Sequence, residues 1–571
     1  MRAAKDGISV HAIPGSRSVL FGMDATTEAR RGLLGFTLGK RDAQSGDITW
    51  LRGFKFFEAT LPHPSPGERR STREHPIQSF QWGDYSATPA TAISYVVQGV
   101  YGRPAALTYG PEIELKVRTA NSESDTHGIY FNRGAIPSQA FADRFDNVGL
   151  TDDQQNDPSH EKVQWLSRGL LEAVLMFIAQ ANGSRFELRI AAYEFFYPPV
   201  LEALRAAAGT GANIQISFHA GDQKRDGSIA PDHTSTANLA TLKSLGLDRA
   251  ANITLRPRTL FSKIPHNKFF LLLENGVPRQ ILTGSTNITP SGFLGQSNVA
   301  HLVRDGALAR TYNTYWEAIA KDPATRGFKT HNTKTFPDPV GALPLDIPKA
   351  VFSPRQAGLL EWFADRLGQA QSNVMFTAAF GVASPLVAKF AEDKDFIRFI
   401  LMENPDREAG EQALLESDRD TRIALGNHLN RDTIQLQLNG HRLDEWFRAE
   451  EHFRKRGHIF YIHTKYMLID ALSAEPQIFT GSANFSDPSV TGNDENMLLL
   501  RGPAFRTVAD VYVNEFMRLF NHLYFRTVAI RLAKERKGDP RKAALLEPTD
   551  QWVKSHFRAG SYHERLRSLF R

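Results

Sequence analysis

The chain has 571 residues, of which 41% are hydrophobic and 23% are charged, a balance typical of a soluble globular protein. It contains no cysteine, which excludes disulfide bonds, thiolate metal sites and cysteine nucleophiles. The 68 Lys+Arg exceed the 62 Asp+Glu, giving a formal net charge of +6. No stretch resembles a membrane span or an apolar signal segment. We therefore expect a cytoplasmic protein of about three or four domains, with non-classical export left open.

Residues 1–125 are predicted to form an all-β domain. Segments 93–101 and 113–117 alternate apolar and polar side chains, as strands do, and turn residues such as Pro64 and Gly102 separate them. Short strands divided by such turns indicate a small β-sandwich-like domain of fibronectin type III style. We find no catalytic constellation in it, and we expect residues 126–160 to form a linker.

Two later segments, 161–325 and 351–504, show the same alternation of helices and strands. In each, a strand (186–193 or 374–380) leads into a helix that begins near a proline, Pro198 or Pro385. Such alternation predicts an α/β lobe in which crossover helices join parallel strands. The similarity of the segments indicates a diverged internal repeat, joined by a proline-rich linker at 326–350.

Residues 505–571 are predicted to form a basic helical tail, which holds 14 Lys+Arg against 7 Asp+Glu and therefore the chain's surplus of positive charge. Aromatic side chains from Phe516 to Phe525 recur at helical spacing. We favour a helix docked on the core through these aromatics, with a solvated basic face. The alternative is contact with an anionic membrane or nucleic acid through the basic residues of the tail. Those residues are Arg531, Lys534, Arg536, Lys537, Arg541 and Lys542.

One pair of motifs stands out, because it occurs once in each repeated half with the same spacing. A His-x-Lys tripeptide is followed by Gly-Ser-x-Asn, and the serine lies 19 positions after the histidine in both copies. The tripeptide alone is weak, since His160-Glu-Lys162 has no such sequence behind it. The conjunction is specific. Its members are His266, Lys268, Gly284, Ser285 and Asn287 in the first half, and His463, Lys465, Gly481, Ser482 and Asn484 in the second.

The residue types in these motifs suit a phosphodiester substrate. Residues i and i+2 of a strand project from the same face, so each histidine and its lysine reach one place together. Lysine and asparagine can hold the phosphate oxygens, while one histidine attacks phosphorus and the other protonates the leaving oxygen. Two histidines could instead hold zinc, but the lysine beside each would repel a cation. We therefore expect no metal and no cofactor.

The pattern His-x-Lys-x4-Asp followed by Gly-Ser-x-Asn resembles the signature of the phospholipase D superfamily. The second copy matches in full, with the acid at Asp470, whereas the first has Leu273 there and Glu274 one residue later. The segment 493–496, with Glu495, also resembles the family, and the first half carries Ser297-Asn298 in place of Glu495-Asn496.

The resemblance implies two pseudo-symmetric lobes with mixed sheets flanked by helices and an active site between them. It further implies a metal-independent phosphodiesterase that forms a covalent phosphohistidine. In that family the first histidine is usually the nucleophile, so we assign attack to His266 and acid–base catalysis to His463; the reverse assignment stays open. Beside the lysines and asparagines, the residues expected to support the site are Ser285, Ser482, Asp470, Glu274 and Glu495.

The substrate has to be argued separately. Family habit, the added β domain and aromatic residues such as Phe195, Tyr197 and Phe261 favour hydrolysis of a phospholipid by a small margin. Basic segments, for example 256–263, and the lack of a signal segment favour a nuclease that cleaves DNA or RNA. A non-catalytic binding scaffold is the third alternative, but it would be expected to lose a motif histidine or lysine, and both copies keep theirs.

Overall fold

The computed structural model describes the chain except for residues 66–67, 134–140, 142–143, 147, 226–227, 231, 262, 338, 340, 406–408, 430–436, 439–440, 443–460 and 535–539. Its architecture is a small β domain followed by two α/β lobes with mixed sheets, which confirms the predicted fold class. Within the described residues, no helix is long and apolar enough to cross a bilayer.

The N-terminal domain consists of two antiparallel sheets whose strand orders are β1-β2-β3-β8 and β10-β9-β4-β5, with β11 also pairing with β9. Side chains from both sheets share one core, where Phe21 and Tyr95 are fully buried. A short pair, β6 and β7, lies outside these sheets. The strands are β1 (Arg2–Lys5), β2 (Ile8–Pro14), β3 (Val19–Ala25), β4 (Gly35–Arg41), β5 (Ile48–Trp50), β6 (Arg52–Gly53), β7 (Arg70–Ser71), β8 (Gln81–Asp84), β9 (Ala92–Arg103), β10 (Ala106–Tyr109) and β11 (Ile113–Arg118).

The first lobe is a seven-stranded mixed sheet in the order β12-β20-β19-β18-β13-β14-β17. Its strands are β12 (His127–Phe131), β13 (Phe186–Ala192), β14 (Asn213–His219), β17 (Ile253–Arg258), β18 (Lys268–Glu274), β19 (Val277–Gly284) and β20 (Val299–Val303), and a separate hairpin pairs β15 (Gln223–Arg225) with β16 (Ser228–Ala230). Its helices are α1 (Asp152–Gln155), α2 (Glu161–Ser167), α3 (Leu170–Ala179), α4 (Pro198–Gly209), α5 (His233–Ser244), α6 (Pro290–Leu294), α7 (Gly306–Ile319) and α8 (Thr325–Thr335).

The second lobe repeats this sheet in the order β21-β29-β28-β27-β22-β23-β24. Its strands are β21 (Lys349–Ser353), β22 (Asn373–Ala378), β23 (Ile397–Met402), β24 (Thr421–Leu425), β27 (Tyr466–Ile469), β28 (Gln477–Gly481) and β29 (Glu495–Arg501), with a separate pair β25 (Gln437–Leu438) and β26 (His441–Arg442). Its helices are α9 (Leu359–Gly368), α10 (Ser384–Ala391), α11 (Ala409–Leu415) and α12 (Asp487–Thr491).

Corresponding strands pair in the same sense in both lobes. β13 is parallel to β14 and antiparallel to β18, as β22 is parallel to β23 and antiparallel to β27. The repeat also includes β12, which pairs with β20 as β21 pairs with β29. This strand lies in the segment 126–160 that the sequence suggested as a linker. The division of the chain into domains stays a prediction.

The tail forms one long helix, α13 (Arg506–Lys534), and two short ones, α14 (Val553–His556) and α15 (Tyr562–Phe570). Phe516 and Phe520 stack on each other and are buried in the core shared by the lobes, as expected for a docked helix. Among the six basic tail residues, Arg531 and Lys542 are exposed. Arg536 and Lys537, and the side chains of Lys534 and Arg541, lie outside the described part of the chain.

Candidate active site

The four motif histidines and lysines lie at the start of two central strands. Lys268 begins β18, Lys465 directly precedes β27, and all four histidine and lysine side chains are buried. The Nζ of Lys268 donates to the carbonyl oxygen of His266 at 2.8 Å, and the Nζ of Lys465 donates to that of His463 at 2.5 Å. The repeated tripeptide thus has the same local structure in both copies.

Each motif histidine contacts a residue of the opposite lobe. The Nδ1 of His266 lies 2.9 Å from a carboxylate oxygen of Glu495, and the Nδ1 of His463 lies 2.8 Å from the Oδ1 of Asn298. The pseudo-symmetric halves therefore exchange the groups that orient their histidines, and the two motifs meet between the lobes. The two partners differ in kind, because one is a carboxylate and the other an amide.

The partner of His463 corrects the alignment of the two halves. The sequence placed Ser297-Asn298 opposite Glu495-Asn496, whereas the structure makes Asn298 the counterpart of Glu495. Both residues follow the motif glycine by 14 positions, since 298 − 284 equals 495 − 481. Ser297 instead accepts a hydrogen bond from the backbone N–H of His463 through its Oγ, at 3.2 Å.

The motif serines support the loops that carry these partners. The Oγ of Ser285 donates to the Oδ1 of Asn298 at 2.8 Å. The Oγ of Ser482 accepts from the backbone N–H of Asn496 at 3.0 Å, next to Glu495. Each serine therefore fixes the position of a residue that contacts a histidine.

The motif asparagines, Asn287 and Asn484, are placed next to the serines at the ends of β19 and β28. The Nδ2 of Asn287 donates to the carboxylate of Glu194, while the Oδ1 atoms of both asparagines are buried without a hydrogen-bond partner in the described residues. Buried amide oxygens without partners are costly in a folded protein. Within the described residues, each asparagine therefore keeps hydrogen-bonding capacity that no protein group uses.

Two predicted supporting residues do not join the cluster. Asp470 lies at the far end of β27, about 16 Å along the strand from Lys465, where it accepts hydrogen bonds from the backbone N–H groups of residues 371–373. Glu274 lies at the corresponding end of β18 and forms ion pairs with Arg185 and Arg279.

The mismatch of the acids in the two motif copies has a simple structural origin. β27 ends at Ile469 and turns at Asp470, whereas β18 continues to Glu274 and turns at Asn275. Asp470 and Asn275 both adopt φ of 50°, a left-handed conformation that Asp and Asn tolerate well. After the motif lysine, β18 runs two residues further than β27 before its turn. The turn residue is therefore Asn275, and position 273 lies inside the strand, where no acid is needed for the turn.

Burial strongly perturbs the ionisable groups of the cluster. It lowers the pKa of Lys268 to about 7 and raises that of the Glu495 carboxyl to about 8. Burial, followed by repulsion from the two lysines, lowers the pKa values of His266 and His463 well below their usual range. Both histidines are therefore neutral at pH 7 in the absence of a bound anion.

Sequence reasoning missed Glu194 and Tyr193, which directly follow β13. Burial raises the pKa of the Glu194 carboxyl, and Lys268 opposes that shift. The ring centroid of Tyr193 lies 5.4 Å from that of His266, and the Nζ of Lys268 lies 5.6 Å from the Tyr193 ring. Their position directly after a central strand was the only feature of the sequence that could have indicated these two residues. Phe195 and Tyr197, by contrast, are fully buried core residues.

A comparison with protein families agrees with this geometry. The family model described as "Cardiolipin synthase, PLD-like domain" matches residues 177–320 and 386–520, and each matched region contains one complete motif unit. Each half of the chain thus contains a region that matches the PLD-like domain of the phospholipase D superfamily. Superfamily members act on phosphodiesters, and the resemblance inferred from the motifs is confirmed. No curated protein sequence matches the chain significantly.

Several solved structures resemble this chain. Phosphatidylserine synthase from Haemophilus influenzae is 13% identical with a TM-score of 0.40, and the match covers 62% of this chain and 85% of that one. Nuc from Salmonella typhimurium, a phospholipase D family member, is 22% identical with a TM-score of 0.20 over 26% and 86%. Polyphosphate kinase from Porphyromonas gingivalis is 11% identical with a TM-score of 0.38, and the match covers 60% of this chain but only 44% of that enzyme.

Proposed function

We propose that this protein is a metal-independent phosphodiesterase that forms a covalent phosphohistidine on His266. The observation that carries the proposal is the unequal partnering of the two histidines, a carboxylate for His266 and an amide for His463. Lys268 and Lys465 favour the ionised form of Glu495, which accepts from the Nδ1–H of His266 and so leaves Nε2 with a free lone pair. The carboxylate also offsets the positive charge that the ring acquires when Nε2 bonds to phosphorus.

In the first step, the Nε2 of His266 attacks phosphorus and the bond from phosphorus to the leaving oxygen breaks. His463 gives its Nε2 proton to that oxygen, which departs as an alcohol. Lys268 and Lys465 lower the pKa of His463, and the negative charge of a bound diester opposes this shift. Substrate binding therefore favours the protonated His463 that this step requires.

In the second step, neutral His463 takes a proton from water, and the resulting hydroxide attacks phosphorus. The phosphorus–nitrogen bond breaks, His266 returns to its neutral form, and His463 is again protonated. An alcohol in place of water would give transfer instead of hydrolysis by the same steps. Lys268, Lys465, Asn287 and Asn484 are proposed to hold the non-bridging oxygens throughout.

The polarity of the two sides of the cluster supports a phospholipid substrate. Glu194 follows β13, and Phe380 occupies the corresponding position after β22, where 61% of the residue is exposed. By its correspondence with Glu194, Phe380 is proposed to lie beside the phosphate site, where an exposed phenylalanine provides an apolar surface for an acyl or glycerol moiety. Hydrolysis of phospholipid is therefore our first proposal, and cleavage of DNA or RNA is the alternative.

We propose that the C-terminal tail also contacts the anionic lipid surface in which the substrate lies. Arg531 and Lys542 are exposed on the same C-terminal segment, and exposed cations attract anionic lipid surfaces. Neutralising both residues should weaken binding to anionic vesicles and its dependence on salt. Unchanged vesicle binding would leave the tail a structural element alone.

A substrate panel tests the proposed function. Phosphatidylcholine, cardiolipin, single- and double-stranded DNA, and RNA are each assayed with the wild type, His266→Ala and His463→Ala, with and without EDTA. We expect phospholipid turnover that persists in EDTA and is lost in both variants. His160→Ala is the matched control, because His160 belongs to a His-x-Lys tripeptide outside the site. Full turnover by either motif variant would refute the mechanism, and turnover of nucleic acid alone would select the alternative.

A further inference from the structure

A second concentration of positive charge lies away from the active site, where the β domain, the first lobe and α13 meet. Four arginines contribute to it. Arg168 and Arg518 are buried, and Arg17 and Arg133 are half-buried.

The two buried arginines share one carboxylate. Arg168 donates from Nη1 to one oxygen of Glu515 at 2.7 Å, and Arg518 donates from Nε to the other at 2.7 Å. Glu515 is itself 2% exposed, so both its oxygens are fully used by these ion pairs. A buried carboxylate held by two guanidinium groups leaves one positive charge uncompensated.

The two half-buried arginines increase that excess. In the described part of the chain, no carboxylate forms an ion pair with Arg17 or Arg133. Arg133 uses its Nε on the carbonyl oxygen of Trp165, at 2.8 Å, and its guanidinium carbon lies 4.0 Å from the centre of the Trp165 ring. Among the described residues, Glu515 and Glu172 oppose the charge of Arg17, and Glu515 opposes that of Arg133. Burial together with the neighbouring arginines lowers the pKa of Arg133 to about 9.

The N-terminus of helix α3 adds to the positive charge around the four arginines. α3 begins after Gly169, which has φ of 97° and no side chain to cap the first N–H groups. The Nη2 of Arg17 lies within 3.1 Å of where a Cβ on Gly169 would be. The positive end of a helix dipole disfavours a cation at this position. Glu172 in the first turn of α3 offsets part of this charge, and an added anion would offset more of it.

We propose that the four arginines and the first turn of α3 form a binding site for an anion of the phosphate class with at least two negative charges. Guanidinium groups hold phosphate oxygens in a bidentate manner, and the N–H groups of a helix N-terminus donate to the same ligand. The site is distinct from the catalytic cluster, because none of its residues contacts the motif histidines or lysines.

The same arginines connect to the catalytic cluster through one residue. Arg518 donates from Nη2 to the carbonyl oxygen of Asn132 at 3.1 Å, and the Oδ1 of Asn132 accepts from the backbone N–H of Asn298 at 2.9 Å. Asn298 is the partner of His463. The anion site therefore lies next to the loop that orients the second histidine.

Calorimetric titration of the full chain with pyrophosphate, at constant ionic strength, tests the proposal. We expect measurable binding by the wild type that weakens at least tenfold in the double variant Arg17→Gln/Arg133→Gln. Arg133→Lys, which keeps the charge, should retain most of the affinity, and circular dichroism confirms that each variant folds. Arg185→Gln, a change at an exposed arginine elsewhere, should bind as the wild type does.

Lys268→Met distinguishes this site from the catalytic one, because it weakens anion binding at the catalytic cluster and the arginine site should account for the pyrophosphate binding that this variant keeps. Loss of binding in Lys268→Met, or unchanged binding in the double arginine variant, would overturn the proposal. A parallel titration with monomeric dioctanoyl phosphatidic acid distinguishes a lipid phosphate from a free one. No binding of either ligand by the wild type would also overturn it.

Discussion

The Nδ1 of His266, on the first lobe, lies 2.9 Å from the carboxylate of Glu495, on the second. The corresponding contact of His463 is made with the amide oxygen of Asn298 at 2.8 Å. The two histidines therefore have the same geometry but different electrostatic surroundings. In the proposed mechanism one acts as the nucleophile and the other as the acid, and the first two predictions test this difference.

Replacing Glu495 by glutamine should slow catalysis strongly while leaving substrate binding nearly intact. The amide can still orient His266 but cannot offset the charge of the phosphorylated ring. We expect kcat to fall by about 10²- to 10⁴-fold, as when a catalytic histidine loses its carboxylate partner. Steady-state kinetics on bis(p-nitrophenyl) phosphate measures it. Glu274→Gln, a change in an acid at the far end of β18, is the control, and equal losses in both variants would contradict the assignment.

Replacing Asn298 by aspartate should shift the pH profile to higher values. A carboxylate at 2.8 Å favours the protonated imidazole and raises the pKa of His463 by about 1–3 units. Because His463 acts as the acid, the descending limb of the kcat profile should move upwards in pH by a similar amount. Asn313→Asp, which adds a charge elsewhere on the first lobe, should leave that limb in place. A profile that stays unchanged in Asn298→Asp would mean that His463 is not the acid.

Affinity for a dianionic inhibitor should fall as pH rises above 7. The pKa of Lys268 is about 7 and that of Glu495 about 8, so the cluster loses positive charge and gains negative charge over the same interval. The inhibition constant of tungstate should therefore increase by up to about tenfold per pH unit between pH 7 and 9.

Lys268→Arg is the matched variant, because arginine stays charged over this range. Its inhibition constant should depend less steeply on pH than that of the wild type, with the titration of Glu495 remaining. Identical pH dependence in the two proteins would show that Lys268 does not titrate near neutrality.

Replacing Trp552 by alanine should destabilise the N-terminal domain. The Nε1 of Trp552 donates to the carbonyl oxygen of Leu33 at 2.8 Å, and its ring stacks on Phe80 at 5.3 Å. Loss of this half-buried ring should lower the free energy of unfolding by about 2 kcal/mol. Thermal denaturation measures the change, with Trp50→Ala as a control on the same domain. Equal stability of Trp552→Ala and the wild type would show that the tail does not support the β domain.

The clustering of the motif histidines and lysines was predictable from sequence, because a strand places residues i and i+2 on one face and the pattern occurs twice. The partner of His463 was not, since its identity depends on how one lobe faces the other across the site. β12 was missed for a related reason. All five of its residues are buried, so it lacks alternation, and its neighbour β20 lies more than 160 residues further along the chain.

Glu194 illustrates a second limit. Its carboxylate faces Asn287 only because β13 and β19 end at the same edge of a sheet, and nothing in the local sequence around residue 194 indicates this. The acids at Asp470 and Glu274 show the opposite effect. They were singled out by their spacing from the motif lysines, but the strands carry them away from the site.

The crossed partnership of His266 with Glu495 and of His463 with Asn298 makes the two halves interdependent. A polypeptide that ends before the second half would keep His266 and Lys268 but lack the carboxylate at Nδ1, and the separate second half would lack the amide beside His463. Neither fragment is expected to turn over substrate alone, whereas a mixture that reassociates would restore both pairs. A damaging substitution in either half should therefore disable chemistry that formally belongs to the other.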